Sequence, residues 1–291
     1  MTKTANRAAL DEWYCVDDLD DIGAAPRPTR LLGQAIVVRR GPDGTVLVNE
    51  VQPDGASGNA MPVKERYGYA WTTLGTPARD ILPIPETEEP DRKWVKCGPV
   101  RVHASGLRIV ENFLDMAHFP FVHTEILGSE RDTEVRTYNA EIRRDVDEVW
   151  ATDCKFFQPQ ASMAASDGIM TDYMYRVGSP FVVMLYKTCV LFANRWDVIC
   201  LFVQPLEEDL CRAHPVMFLL DEETPFATLV QFQQLIFLQD RIILENQRPR
   251  LLPLEPRAEI PTRADISSVA YRRWLKEKGL TFGTAEGARA S

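Results

Sequence analysis

The stretch ENFLDMAHFPFVH, residues 111 to 123, holds two of the chain's four histidines, His118 and His123, with Asn112 and Asp115 just ahead of them. Imidazoles beside a carboxylate can bind a transition metal, but two histidines need a third protein donor. Two histidines with one carboxylate form the facial set used for non-haem Fe(II) oxygen chemistry, because that set leaves positions open for dioxygen. Asp115 lies one helical turn before His118, which suits it to accept an imidazole N–H and fix the tautomer rather than to bind the metal itself. The third donor is then expected from elsewhere. Asp240, in IFLQDRIILENQ, is a lone carboxylate among Ile236, Phe237, Ile243 and Leu244. An unpaired carboxylate on an apolar face is costly to bury, and a metal ion offsets that cost. The residues alone leave a plainer reading open, in which the histidines are surface groups and Asp240 marks the edge of a solvated helix face. His103 and His214 read as a linker-strand and a strand histidine without partners.

Elements must bring these groups together. A helix is expected from Ser105, whose hydroxyl can cap it, through Leu107, Ile109, Val110, Phe113, Leu114 and Ala117. On it Asn112, Asp115 and His118 share one face, spaced i, i+3, i+6. His123 would sit about 140° away from His118 on a regular helix. The two imidazoles meet only if the helix distorts, and Pro120 stands in that interval to remove a hydrogen bond. Asp240 falls on a late helix that begins at Thr224-Pro225 and stops before Pro249. From 134 to 219 short runs of β-branched and aromatic residues, broken by Asp, Gly, Pro or Asn, predict an antiparallel sheet. A last helix spans 263 to 278 and ends at Gly279. Earlier, residues 1 to 10 read as a loose tail and 30 to 51 as two strands joined at Gly41-Pro42-Asp43-Gly44. The stretch QPDGASGNAMPVKE reads as a loop, ERYGYAWTTLG as a strand and TPARDILPIPETEEPDRK as a linker. The expected fold class is α+β: a large antiparallel sheet with helices packed on it over 96–291, preceded by a smaller β region over 1–95.

The net charge of −9 argues against nucleic acid or anionic membrane as a general partner. No apolar run approaches the roughly 18 residues of a membrane span, and the N-terminus shows no signal-peptide core. None of the six cysteines forms a C-x-x-C pair, so reduced thiols in the cytoplasm are expected.

The string N-x-x-D-x-x-H-x-x-x-x-H, here Asn112, Asp115, His118 and His123, resembles the iron-site motif of the Rieske-type non-haem iron oxygenases. In that family the third ligand is an aspartate on a late helix, often followed by a basic residue, and Asp240-Arg241 matches it. Trp13-Tyr14, ERYGYAW at 65 to 71 and YRRWL at 271 to 275 are similar to further landmarks, so the resemblance covers nearly the whole chain. It implies a helix-grip catalytic domain of the ring-hydroxylating type, Fe(II) on His118, His123 and Asp240, dioxygen as cosubstrate, and electrons arriving through Asp115. Asn112 would support that network, or simply lie on the helix surface.

The departure from the family matters as much. Its N-terminal domain carries a [2Fe–2S] cluster held by C-x-H and C-x-x-H, whereas residues 39 to 64 here contain no Cys and no His. Residues 1–95 therefore read as a shrunken remnant of that domain. The resemblance implies that a partner reductase bearing a Rieske cluster delivers electrons from NAD(P)H, with other oxygenase subunits as further expected partners. The segments SGLRIVENFLDMAHFPFVHTEILG, LYKTCV, LFVQP, AYRRWL and TFGT are similar to a cluster-less branch of the family that acts on methylated purines. The activity implied is oxidative N-demethylation of 7-methylxanthine to xanthine and formaldehyde. Gln233, two turns before Asp240, would then meet a purine dione edge, or else bond a neighbouring strand. Competing readings are a non-catalytic subunit of a larger complex, a ligand-binding protein, and a monooxygenase for another N- or O-methylated or aromatic substrate. The intact His118, His123, Asp240 and Asp115 set argues against decay of the site.

Overall fold

The computed structural model describes residues 3–164 and 167–286. Its N-terminal third runs α1 (Arg7–Leu10), β1 (Tyr14–Asp18), β2 (Arg27–Leu31), β3 (Gln34–Arg40), β4 (Val46–Val51), β5 (Ser57–Ala60), β6 (Val63–Arg66) and β7 (Tyr69–Thr72). Strands β2 to β5 form one antiparallel sheet in sequence order, and β1, β7 and β6 form another. The expected turn closes β3 on β4, with Gly44 at φ +87 where its missing Cβ matters. The structure corrects two expectations. The described residues of the N-terminal tail are not loose. Asn6 caps α1 by accepting from the Ala9 N–H, its amide donates to Gly279 O, and Ala9 and Leu10 are buried. The loop expected over 52–65 contains β5 and the start of β6, because β4 needs a hydrogen-bonding neighbour on that side.

The chain then forms β8 (Lys93–Lys96), β9 (Val100–Val102), α2 (Gly106–Leu114), α3 (Phe119–Val122), β10 (Asn139–Arg143), β11 (Glu148–Gln158), β12 (Ile169–Ser179), β13 (Val182–Thr188), β14 (Trp196–Glu207), β15 (Leu210–Leu219), α4 (Phe226–Asn246) and α5 (Ile266–Glu277). Strands β10 to β15 follow one another in an antiparallel sheet that β8 and β9 complete by pairing with β15. The fold class is α+β.

Both faces of this sheet are covered at its centre. On one side Tyr175, Val177, Val183, Leu185, Leu201 and Val203 join a core with residues of α2 and α5. On the other, Met184, Tyr186, Val198, Phe202 and Phe218 meet Tyr67, Tyr69 and Trp71 at the small N-terminal sheet. That is why β13 has six consecutive buried residues, Val182 to Lys187, of which five are apolar: with no solvated face at the sheet centre, the alternation of apolar and polar residues is lost there. The small sheet of β1, β7 and β6 therefore covers the back of the large sheet. Hydrophobic residues of the other N-terminal sheet, such as Leu31 and Val38, share the first core with Val102, Leu107 and Trp274.

α2 is anchored where it matters for the site. Arg108, 1 % exposed, pairs with Glu111 (3.0 Å) and Glu259 (2.6 Å), and Arg272 of α5 grips the same two carboxylates. Buried Arg108 and Glu111 need partners, and the half-buried Arg272 and Glu259 supply them, so the network ties α2 to α5 and the 249–259 segment. No helix among the described residues is long and apolar enough to cross a membrane.

Candidate metal centre and its pocket

The helix carrying the motif does not run to Ala117, and Pro120 does not bend it. α2 ends at Leu114; Asp115 is already extended, at φ −85 and ψ 130. The Asp115 carboxylate turns back to accept the Ala117 N–H at 2.8 Å, a turn that aspartate favours over helix. A separate helical turn, α3, then begins with Pro120 at its start, where the ring costs no hydrogen bond. His118 and His123 flank this turn at its two ends, and their rings stand 5.0 Å apart. The break at Asp115 brings the imidazoles together.

Gly128 packs directly against α3. A Cβ there would lie 2.6 Å from Pro120 N and 2.7 Å from Phe119 C, both backbone atoms. Gly128→Ala is therefore expected to shift the turn between the histidines and lower iron affinity by about tenfold, with circular dichroism unchanged. Iron titration measures this, and native affinity would mean that the turn yields without disturbing the histidines.

Asp240 closes the cluster from α4. Its Oδ1 lies 2.9 Å from His123 Nε2 and 3.3 Å from His118 Nε2. The far ring nitrogens are held from outside: His118 Nδ1 donates to Asp115 Oδ2 at 2.9 Å, and His123 Nδ1 to Gln239 Oε1 at 2.8 Å. Both rings thus present Nε2 inward with their orientation fixed. His123 is 1 % exposed and Asp240 9 %. Burial alone would lower the His118 pKa, but hydrogen bonds with Asp115 and Asp240 outweigh it and lift it to about 9. Burial alone would likewise raise Asp240, yet its hydrogen bonds from His118 and His123 hold it below the usual carboxylate range. The cluster attracts positive charge. Two imidazole nitrogens and one carboxylate oxygen, all within 4.8 Å of one another, form a donor set that fits a single divalent ion.

Gln239 was not legible as a site residue, since it sits beside Asp240 rather than one turn away. Asn112 lines the cavity, but among the described residues its side chain bonds neither Asp115 nor His118; only its carbonyl oxygen accepts the Asp115 N–H, at 3.1 Å.

A pocket extends from the triad between α4 and the sheet. Phe113, Leu127, Tyr173, Leu185, Met217 and Phe237 supply apolar wall. The buried stripe of α4 is Leu229, Gln233, Phe237, Asp240 and Leu244, so Gln233 and Asp240 share the side that faces the cavity. The Gln233 amide lines it without a hydrogen-bond partner among the described residues, whereas the adjacent Gln234 reaches out to Cys97 O at 2.7 Å. Three charged residues that sequence reasoning passed over, Lys187, Asp197 and Asp221, also line the cavity.

Comparison with known proteins decides the family. The family described as the vanillate O-demethylase oxygenase C-terminal domain matches residues 102–280. The chain belongs to the Rieske-type oxygenases. Family members use iron and dioxygen, and this chain is an oxidoreductase of the monooxygenase kind. It is similar to a probable methylxanthine N7-demethylase, NdmC, of Pseudomonas sp. (strain TJI-51): 47 % identical over 97 % of this chain and 99 % of that one. It is 24 % identical to the methylxanthine N1-demethylase NdmA of Pseudomonas putida, over 83 % of this chain and 66 % of that protein. Two solved Rieske-type oxygenases share its fold. The structure of Pseudomonas putida CBB5 NdmA with caffeine gives a TM-score of 0.73 at 16 % identity, covering 98 % of this chain and 95 % of that one. Apo dicamba monooxygenase gives 0.67 at 15 % identity, covering 97 % and 99 %.

Proposed function

We propose that the protein oxidatively removes an N-methyl group from a methylated purine, converting 7-methylxanthine to xanthine and formaldehyde, with Fe(II) held by His118, His123 and Asp240. The observation that carries the reading is the convergence of those three donors at one end of an apolar pocket. The 47 % identical relative named as a probable methylxanthine N7-demethylase supports the choice of substrate. When bound, the iron supplies dioxygen activation, which hydroxylates the N–CH3 carbon so that it leaves as formaldehyde. The chain's own residues prepare the site. Asp115 holds the proton on His118 Nδ1, and Gln239 holds that on His123 Nδ1. Phe113, Leu185 and Phe237 exclude water around a flat ring, and the Gln233 amide is free to donate and accept along a purine edge.

Electrons come from outside, because residues 39 to 64 offer no Cys or His for a cluster. A cytoplasmic reductase carrying a Rieske [2Fe–2S] domain and using NAD(P)H is the proposed partner, with Asp115 on the route. The test is formaldehyde release from a panel of methylated purines, with and without such a reductase. Release from 7-methylxanthine only in its presence is expected. Equal turnover with a cluster-free electron donor would sink the borrowed-cluster route, and no release from any methylated purine would sink the substrate assignment.

A further inference from the structure

We propose that Lys187, Asp197 and Asp221 form a recognition site at the pocket end remote from the metal triad. The site reads the unmethylated N–H, C=O, N–H edge of the substrate ring and selects purines with hydrogens on both nitrogens of the six-membered ring. The inference rests on the purine reading above and deepens it.

Nothing in the metal chemistry uses these three residues, yet each is buried and each lines the same cavity as the triad. They come from separate elements. Lys187 on β13 lies opposite Asp197 on β14, and Asp221 follows the end of β15. Their mutual pairing is incomplete. The Lys187 ammonium donates to Ala161 O, and no carboxylate among the described residues lies within salt-bridge reach of it. Asp197 spends Oδ1 on the Leu220 N–H, and Asp221 spends Oδ1 on the Thr224 N–H, each at 2.9 Å. Asp221 Oδ2 is left buried with no hydrogen-bond partner among the described residues. Burial pushes the Lys187 ammonium down to about 8, against the pull of Asp197, and pushes Asp197 up. A buried acceptor without a donor is costly, and a bound ligand that donates to it would remove that cost.

The placement suits a purine. Gln233 lies about 10 Å along α4 from Asp240, and Leu229 one further turn on. The Lys187 ammonium stands 6.0 Å from the Tyr173 ring, which is 6.3 Å from Phe119, whose ring is 5.0 Å from that of His118. With an N7-methyl group at the triad, the far edge of a 7-methylated purine-2,6-dione reads N1–H, C2=O, N3–H. That order of donor, acceptor, donor is complementary to a carboxylate, an ammonium and a second carboxylate. A methyl group on N1 or N3 removes a donor, crowds the wall and leaves a carboxylate unpaired. Sites built to hydrogen-bond a polar group reject analogues lacking it far more strongly than apolar pockets reject a methylene.

The experiment measures equilibrium binding to the iron-loaded protein by calorimetry under nitrogen. The ligands are 7-methylxanthine, its 1,7- and 3,7-dimethyl analogues and 1,3,7-trimethylxanthine, and formaldehyde release with the Rieske-bearing reductase runs in parallel. The native protein is expected to bind 7-methylxanthine at least about 100-fold more tightly than the trimethyl compound. Asp221→Asn keeps the oxygen that accepts from Thr224 and replaces the free acceptor with a donor; Lys187→Met keeps length and removes the charge. Each is expected to narrow the preference by about tenfold or more. Iron content and melting temperature report whether a variant folds, and the native preference stands as a test whatever they show. Equal native affinity for the two ligands, or variants that weaken both alike, would overturn the inference while turnover left the purine reading intact. Absence of both binding and turnover for every methylated purine would remove both.

Discussion

A His123→Ala variant is expected to purify folded, with less than about a tenth of the native iron, and to release no formaldehyde above background with the partner reductase supplied. His123 is buried, directs Nε2 to within 2.9 Å of Asp240 Oδ1, and has its other nitrogen fixed by Gln239. Removing it leaves one imidazole and one carboxylate, too few donors to retain a divalent ion against water. It also strips Asp240 of one of the two partners that keep its carboxylate charged. Metal analysis of the purified chain and a colorimetric formaldehyde assay measure the two effects. Native iron content in the variant would place the metal elsewhere and dissolve the triad assignment. The same measurements on a native protein that never binds iron would favour a non-catalytic subunit.

Asp115→Ala is expected to behave differently. Its carboxylate contacts His118 from the side of the ring opposite Asp240, so iron is retained when Fe(II) is saturating. Turnover driven by the Rieske-bearing partner is expected to fall about 100-fold. Three changes coincide: the His118 ring loses its orienting acceptor, the pKa that Asp115 helps to raise drops, and the Asp115–Ala117 turn that ends α2 is released. Single turnover with chemically reduced enzyme separates these causes. A defect confined to partner-driven turnover assigns Asp115 to electron delivery. An equal defect in both assays assigns it to positioning His118 alone, and undiminished partner-driven turnover removes the residue from either role.

The candidate donors, their spacing and the Asp115 carboxylate one turn before His118 were legible because they are properties of residue types along one chain. The α+β class was legible for the same reason: β-branched and aromatic runs between 134 and 219 became β10 to β15, and the 3.6-residue period of α4 put Gln233 and Asp240 on one buried stripe. The break of α2 was not. Helical periodicity continues through Ala117 in the sequence, and the competing hydrogen bond that the Asp115 carboxylate accepts from the Ala117 N–H turns the chain away from it.

What the sequence by itself determined is therefore local. It holds two imidazoles and a distant carboxylate of the types that suit a divalent metal, and a stretch from 39 to 64 with no Cys or His. Tertiary structure decided where those groups meet and what surrounds them. Asp240 reaches His123 across 117 residues of chain because α4 lies over the sheet. Gln239 finds the outer nitrogen of His123 only once that has happened. β13 shows why such facts escape a linear reading. Both of its faces are buried, so hydrophobicity does not say which one turns to the cavity. The choice of Leu185 and Lys187 for the pocket, and of Met184 and Tyr186 for the N-terminal sheet, follows from which layer covers each face.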